Sequence, residues 1–404
     1  MSGPKGGSYR VESAEQIEAR QLRDAKARYT RVQSLWESAQ LRMAATVAVI
    51  GKPVPHQTPV AVRSGAGSTE YDAAAARLEA LVEKANNAAS TALEEHSEAQ
   101  FAGQIARIAA ATAAAAPPVP VVRREQEADT APAAAPTVDR KRVADRVQRR
   151  LSELAAVEHD QERVRVLVDD IANAGSESRI DLLISELDVL VRNGRDAAAH
   201  AAAVLQTRAA LQEISVRVSG IVGALADSIR RRVADLLASE VEDVPAELKA
   251  DVDRAVAAAD TQADRQHLVA SMHRALEQLG YVLGPEFDTQ LAGDQGTAVV
   301  AGPTAGYGVK VRLESGVNRF SAQAVKSDAV ITSGEQDLEV EREFCDDFHE
   351  LVTLARADGV ELDLDIELQP GEAKVQAVAA EKVAARRSVA TSRHRPAERK
   401  RDRP

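Results

Sequence analysis

The chain has 404 residues and one cysteine, Cys345. No disulfide can form within it, and this usage suits a reducing compartment. Aromatic residues make up only 3% while hydrophobic residues make up 45%, much of that alanine. A chain rich in alanine and poor in aromatics favours long helices over one large globular core. No run of roughly 18 residues is apolar enough to span a bilayer. The longest apolar run, around Ala109 to Ala116, is short and mostly alanine. The opening MSGPKGGSYRVESAEQ lacks the apolar stretch of a secretory signal and the Met-Gly start of a myristoylated protein. These features predict a soluble, cytoplasmic protein.

Catalytic signatures are also missing. There is no G-x-S-x-G, no H-E-x-x-H and no G-x-G-x-x-G. The glycine-rich Gly302–Lys310, GPTAGYGVK, leads into a strand and lacks the Gly-Lys-Ser/Thr ending of a phosphate-cradling loop, so it reads as a hairpin turn. Gly51-Lys52 fails for the same reasons. Cys345 and His349 are four residues apart and share a helix face, but structural zinc needs about four ligands. His267 and His273, six apart, cannot point the same way. No catalytic, cofactor or metal residue is nominated.

Charge is unevenly spread. The net charge is −11. From Arg386 to Arg403 eight Lys or Arg face Glu398 and Asp402, so this tail carries +6 and the rest of the chain −17. An acidic body disfavours non-specific binding to nucleic acid or anionic membranes. The tail, with Arg395, Arg399, Lys400 and Arg401, is the one basic candidate. It suits docking on nucleic acid, anionic lipid or the protein's own acidic domain.

What the chain does have is helical periodicity. The stretch Val204–Val241 places Leu211, Ile214, Val218, Ile221, Leu225, Ile229, Val233 and Leu236 at spacings of three and four. No proline lies between Pro136 and Pro245, so a single rod of roughly 55 Å is predicted, at about 1.5 Å per residue. Its apolar seam requires partner helices. Arg230, Arg231 and Arg232 fall on the polar side, beside Asp227 and Asp235.

In chain order, residues 1–12 are Gly- and Ser-rich and read as a flexible N-terminus. Ser13 with Gln16 forms a capping-box pattern. Leu22, Tyr29, Val32, Trp36 and Met43 then mark the cleanest heptad, ended by Gly51 and Pro53. A second, alanine-seamed helix runs from about Thr69 to Ala116. The two are expected to form an antiparallel hairpin over 13–116. Residues 117–137 read as a Pro/Ala linker. Residues 138–260 read as a coiled-coil or bundle region, with one helix to Gly175 and another from Ser178 to Arg192 stopped by Asn193-Gly194. Pro245 then opens a short helix, and Thr261 with Asp264 caps another.

The character changes at Gly280. Six of the eleven aromatics lie between Tyr281 and Phe348, and half of the 22 glycines lie between Gly280 and Gly371. Strands are predicted at Tyr281–Phe287, Thr297–Ala301, Tyr307–Leu313 and Arg319–Ala324. Ser333 and Gln336 cap a helix to about Asp358, with Val340, Phe344, Phe348, Leu351 and Ala355 inward. Val360–Leu368 alternates apolar and acidic residues. Residues 261–371 therefore read as a small α+β domain, and 372–404 as a basic disordered tail. The fold class is mainly α, with long coiled-coil-like helices before that domain.

The helix–strands–helix order of 264–358 is similar to that of a double-stranded-RNA-binding domain. However, the helix that would meet phosphates carries acids, among them Glu339, Glu343, Asp346, Asp347 and Glu350, and such a face repels a duplex. Those five residues are a candidate face for a protein partner. The expected function is a non-enzymatic cytoplasmic scaffold or adaptor. It would bind protein partners, or itself, through the seams Leu22, Tyr29, Val32, Trp36, Met43, Leu211, Ile214, Val218, Ile221 and Leu225, and through the terminal domain. The alternatives are a nucleic-acid- or membrane-associated protein using the tail, and an enzyme with a site in the α+β domain.

Overall fold

The computed structural model describes residues 5–110, 138–155, 160–293, 296–314, 318–372 and 374–383, apart from 56 and 60. The chain is mainly helical, with a largely antiparallel sheet built from its C-terminal part and one N-terminal strand. It divides into a head, Met1–Arg20 with Ala257–Pro404, and a helical unit, Gln21–Val256. The boundaries fall inside two helices, α1 (Ala14–Ile50) and α7 (Ala246–Gln278). The linker expected at 117–137 lies outside the described residues.

The head's sheet runs β2 (Thr297–Ala301), β3 (Tyr307–Leu313), β4 (Arg319–Ser327), β1 (Lys5–Val11) and β5 (Val360–Ile366). Thus the stretch expected to be a flexible N-terminus is a strand between β4 and β5, antiparallel to both. The glycines that suggested flexibility permit close backbone approach instead. A Cβ on Gly7 would sit 1.7 Å from the Asp363 carbonyl oxygen, and one on Gly6 2.7 Å from that of Phe320. The register shifts between Gly6 and Gly7. Tyr9 and Val11 are buried, and Lys5, only 2% exposed, reaches Glu367 at 3.1 Å. Its Nζ also lies 5.5 Å from the centre of the Phe348 ring.

The covering helices are the end of α7 and α9 (Gly334–Ala357), which share one apolar core with the sheet. The capping box of Ser333 and Gln336 forms as predicted. Phe344, Phe348, Leu351 and Ala355 face the core, while Val340 is half-buried. The strand expected at Tyr281–Phe287 is reduced to a single bridge, Val282 with Ala301, before a short helix α8 (Phe287–Ala292). In β5, Val360 and Leu362 are buried but Ile366 is 44% exposed, because cover runs out along the strand. Part of the supposed tail also folds: β6 (Gln376–Val378) pairs parallel with β4, and α10 (Ala380–Val383) follows it.

In the helical unit, α2 (Ser68–Ala110) runs parallel to α1, not antiparallel. Tyr29 meets Tyr71 at 5.7 Å, Arg28 pairs with Glu79 at 3.0 Å, and Arg42 bonds Ser90 at 3.0 Å, so positions advance together. The proline-rich connection is long enough to run back: about 17 residues reach roughly 55 Å extended, against roughly 32 Å of helix. Then come α3 (Arg140–Ala155), α4 (Gln161–Asn173), α5 (Glu177–Arg217) and α6 (Ala224–Leu237).

Two expected helix ends are reversed here. The helix expected to stop at Asn193-Gly194 continues, and α5 spans 41 residues with Gly194 buried inside it. The predicted single rod breaks instead at residues 218–223. Gly223 adopts φ 125°, a backbone state that glycine tolerates. Arg230 donates to the carbonyls of Val218 and Ile221, at 3.0 and 2.9 Å, satisfying acceptors freed by the break. Helix α7 likewise runs unbroken through Thr261, whose hydroxyl donates back to the Ala257 carbonyl at 2.9 Å. Asp264 is no cap; it pairs with Arg20.

Candidate interaction surfaces

The predicted seams are consumed inside the chain. Val32, Trp36 and Met43 pack with Ala75, Leu78, Ala85 and Ala89 of α2, with Tyr29 alongside half-buried. Leu211, Ile214 and Val218 pack with Ile229, Val233, Leu248 and Val252, with Ile221 alongside. Leu22 is half-buried, and Leu225 is 39% exposed. Apart from Leu22 and Leu225, the predicted seam residues belong to the apolar clusters of this chain. On α5 the reason is the break at 218–223, which folds α6 back onto the end of α5, and on α1 it is the cover given by α2.

Helix α9 carries the acidic candidates. Glu335, Glu339, Asp346 and Glu350 are exposed and follow at spacings of four, seven and four, so they share one face. Glu335 lies beyond the five acids nominated from sequence. Like charges one turn apart repel by a few tenths of a kcal/mol per pair. None of these four makes an ion pair among the described residues, although the exposed Arg342 stands on the same face, three residues after Glu339 and four before Asp346. Glu343 lies beside them and accepts from the Thr304 hydroxyl at 3.2 Å.

Asp347 differs from the other candidates. It is half-buried and accepts from the Tyr281 hydroxyl at 2.8 Å. Burial raises its pKa above the usual carboxylate range against the Tyr281 bond, and Glu343, Glu350 and Asp346 push it further up. Burial, then the bond to Asp347, raises the Tyr281 hydroxyl well above its ordinary value.

The start of α9 is held by a charged network. Asp337 accepts from Lys326 at 2.6 Å, from the Tyr307 hydroxyl at 2.7 Å and from Thr332 at 2.8 Å. Burial pushes its pKa up, but these three donors outweigh that and leave it lowered. The stripe is therefore mounted on a fixed helix end.

The remaining candidates bring no chemistry together. His349 sits over the Cys345 carbonyl at 2.8 Å through Nδ1 and faces Glu367 at 3.0 Å through Nε2, so its ring is not turned to the thiol. His267 contacts the Asp358 carbonyl and His273 contacts Asp288. Among the described residues no group of three His, Cys, Asp or Glu could hold a metal ion. Two clefts in the head hold about 10 and 20 Å³, room for roughly one water each. A groove of about 420 Å³ in the helical unit is lined by Arg31, Glu213, Arg217, Asp243 and Lys249. Most of its charges are paired, Arg31 with Glu213 at 3.4 Å, Arg217 with Asp253 at 3.6 Å and Lys249 with Asp243 at 3.3 Å, while Glu242 meets His200. Arg395, Arg399, Lys400 and Arg401 lie outside the described residues.

Sequence reading missed the positioning arginine Arg140 and the carbonyl contacts of Arg230, whose expected pair with Asp227 forms at 2.6 Å. Arg140 donates to the Ile171, Ala172 and Ala174 carbonyls at the end of α4. Only the fold reveals such pairings: the Arg140 partners lie 31 to 34 positions away, and those of Arg230 lie 12 and 9 positions back across a helix break. Among the described residues, no helix is long and apolar enough to cross a membrane. No family model matches the chain, and no curated protein or solved structure is significantly similar to it.

Proposed function

We propose that the protein is a non-enzymatic cytoplasmic adaptor whose head docks a basic protein partner on the exposed acidic face of α9. The observation that carries this reading is the run Glu335, Glu339, Asp346 and Glu350, four exposed acids without an ion pair among the described residues and with Arg342 as the one cation on their face. A helix that tolerates its own repulsion gains stability when a cationic surface covers it. The rigid setting of the helix start by Asp337 and Lys326 supports the same reading, because a preordered surface loses less entropy on binding. The helical unit is its scaffold, with the apolar seams serving as internal core. A face of this sign repels polyanions, so nucleic acid or anionic lipid falls to the basic tail, if to any part.

The test is co-purification from the native cell with the full chain and with its Glu339→Gln, Asp346→Asn, Glu350→Gln variant. A partner retained at low salt, released by high salt and lost in the variant supports the proposal. A partner set unchanged by the three substitutions refutes it.

A further inference from the structure

The apolar clusters of the helical unit are not continuous. One holds Phe101 and Ile108 of α2 with α3, α4 and the start of α5 as far as Val191. The others hold α1 with α2 up to Ala89, and the end of α5 from Leu211 with α6 and the start of α7. Between them, none of residues 90–100 of α2 is buried, and none of residues 195–206 of α5. From Arg195 to Ala202 every residue is exposed, so no described neighbour buries any residue of that stretch of α5.

The chain enters the outer cluster along α2 and leaves it along α5. The crossing of α2 has only partial cover, with Ser90, Ala92, Leu93, His96 and Ser97 half-buried, and that of α5 is bare from Arg195 to Ala202 and alanine-rich: Ala197, Ala198, Ala199, Ala201, Ala202 and Ala203. Alanine favours the helical state but supplies almost no packing surface. An uncovered helix of about a dozen residues is only marginally stable by itself. The ties found along α5 are surface pairs, Arg195 with Glu153 at 3.3 Å and His200 with Glu242, and such pairs add little.

We propose that residues 90–100 and 195–206 form a joint, so that the lobe of residues 101–110, 138–155 and 160–191 swings and opens independently of the rest of the helical unit. Packing on one side of the joint does not depend on packing on the other. Local opening at the joint is therefore cheap, while each lobe stays closed. The joint lets one chain present its outer lobe at varied angles without unfolding it.

Hydrogen exchange on the full chain reads this directly. Amides of residues 195–206 should exchange about a hundred-fold faster than those of residues 180–191 and 209–217. Equal protection along the whole of α5 overturns the proposal. Distances give a second reading in a Cys345→Ser background. A spin-label pair across the joint, Gln148→Cys with Arg208→Cys, should show a much broader distribution than a pair within the lobe, Gln148→Cys with Arg179→Cys. Equally narrow distributions overturn it too.

Discussion

The head and the helical unit use their apolar residues in opposite ways. The head gathers six aromatics, Tyr9, Tyr281, Phe287, Phe320, Phe344 and Phe348, into one core shared by every strand from β1 to β5. Phe348 stacks on Phe320 at 6.3 Å and tilts on Phe344 at 5.9 Å. The helical unit spreads smaller side chains over three clusters, with Trp36 in one and Phe101 in another. A sheet that pairs residue 7 with residues 320 and 364 can close only when the whole head is in place. Helices pair more locally and can close cluster by cluster. The head should therefore fail as a whole, and the helical unit in parts.

The largest effect is expected at Phe348, 1% exposed in the shared core. Phe348→Ala should cost about 4 kcal/mol and shift the whole head transition in chemical denaturation. A local loss confined to α9 amides would break the contrast. Gly7→Ala follows at about 3 kcal/mol, since the added Cβ meets the Asp363 carbonyl.

Val218→Asp buries a charge at a site with 0% exposure and should cost about 3 kcal/mol. Leu225→Asp, on the same predicted seam but 39% exposed, should stay within about 0.5 kcal/mol. Hydrogen exchange should show the Val218 variant opening the α5–α6–α7 cluster while residues 140–191 keep their protection. Arg140→Ala should cost about 2 kcal/mol through the carbonyls it leaves bare, and should act on the outer lobe alone.

The smallest effect is a pH dependence. Asp337 has a lowered pKa in the folded head, so its contribution is complete above the unfolded carboxylate value of about 3.9. That contribution disappears as pH falls through the lower folded value. Asp337→Asn should therefore weaken the head at neutral pH, and the gap to the parent chain should close in acid. A gap that stays constant with pH would remove Asp337 from the account.

The sequence carried the parts of the fold that depend on near neighbours. The bounds of β2 and β3 and the Ser333 capping box follow from alternation, turn residues and local hydrogen bonding. Strand β1 was illegible because two of its seven residues are glycine, one inward position is a lysine, and its partners lie more than three hundred residues away. The end of α5 was misplaced because Gly194 and Gly223 look alike in sequence. The first is buried within a helix, while the second starts a new helix from a left-handed backbone state. On α9 the acids were legible as residue types, but their inequality was not. Only the contact with Tyr281 separates Asp347 from its exposed neighbours.

The most direct test of this division is to delete residues 1–11 from the full chain and record its two-dimensional amide NMR spectrum. The account predicts that resonances of β3, β4 and α9 lose their dispersion, while those of α3, α4 and α6 remain in place. A head whose spectrum survives the deletion unchanged would contradict it.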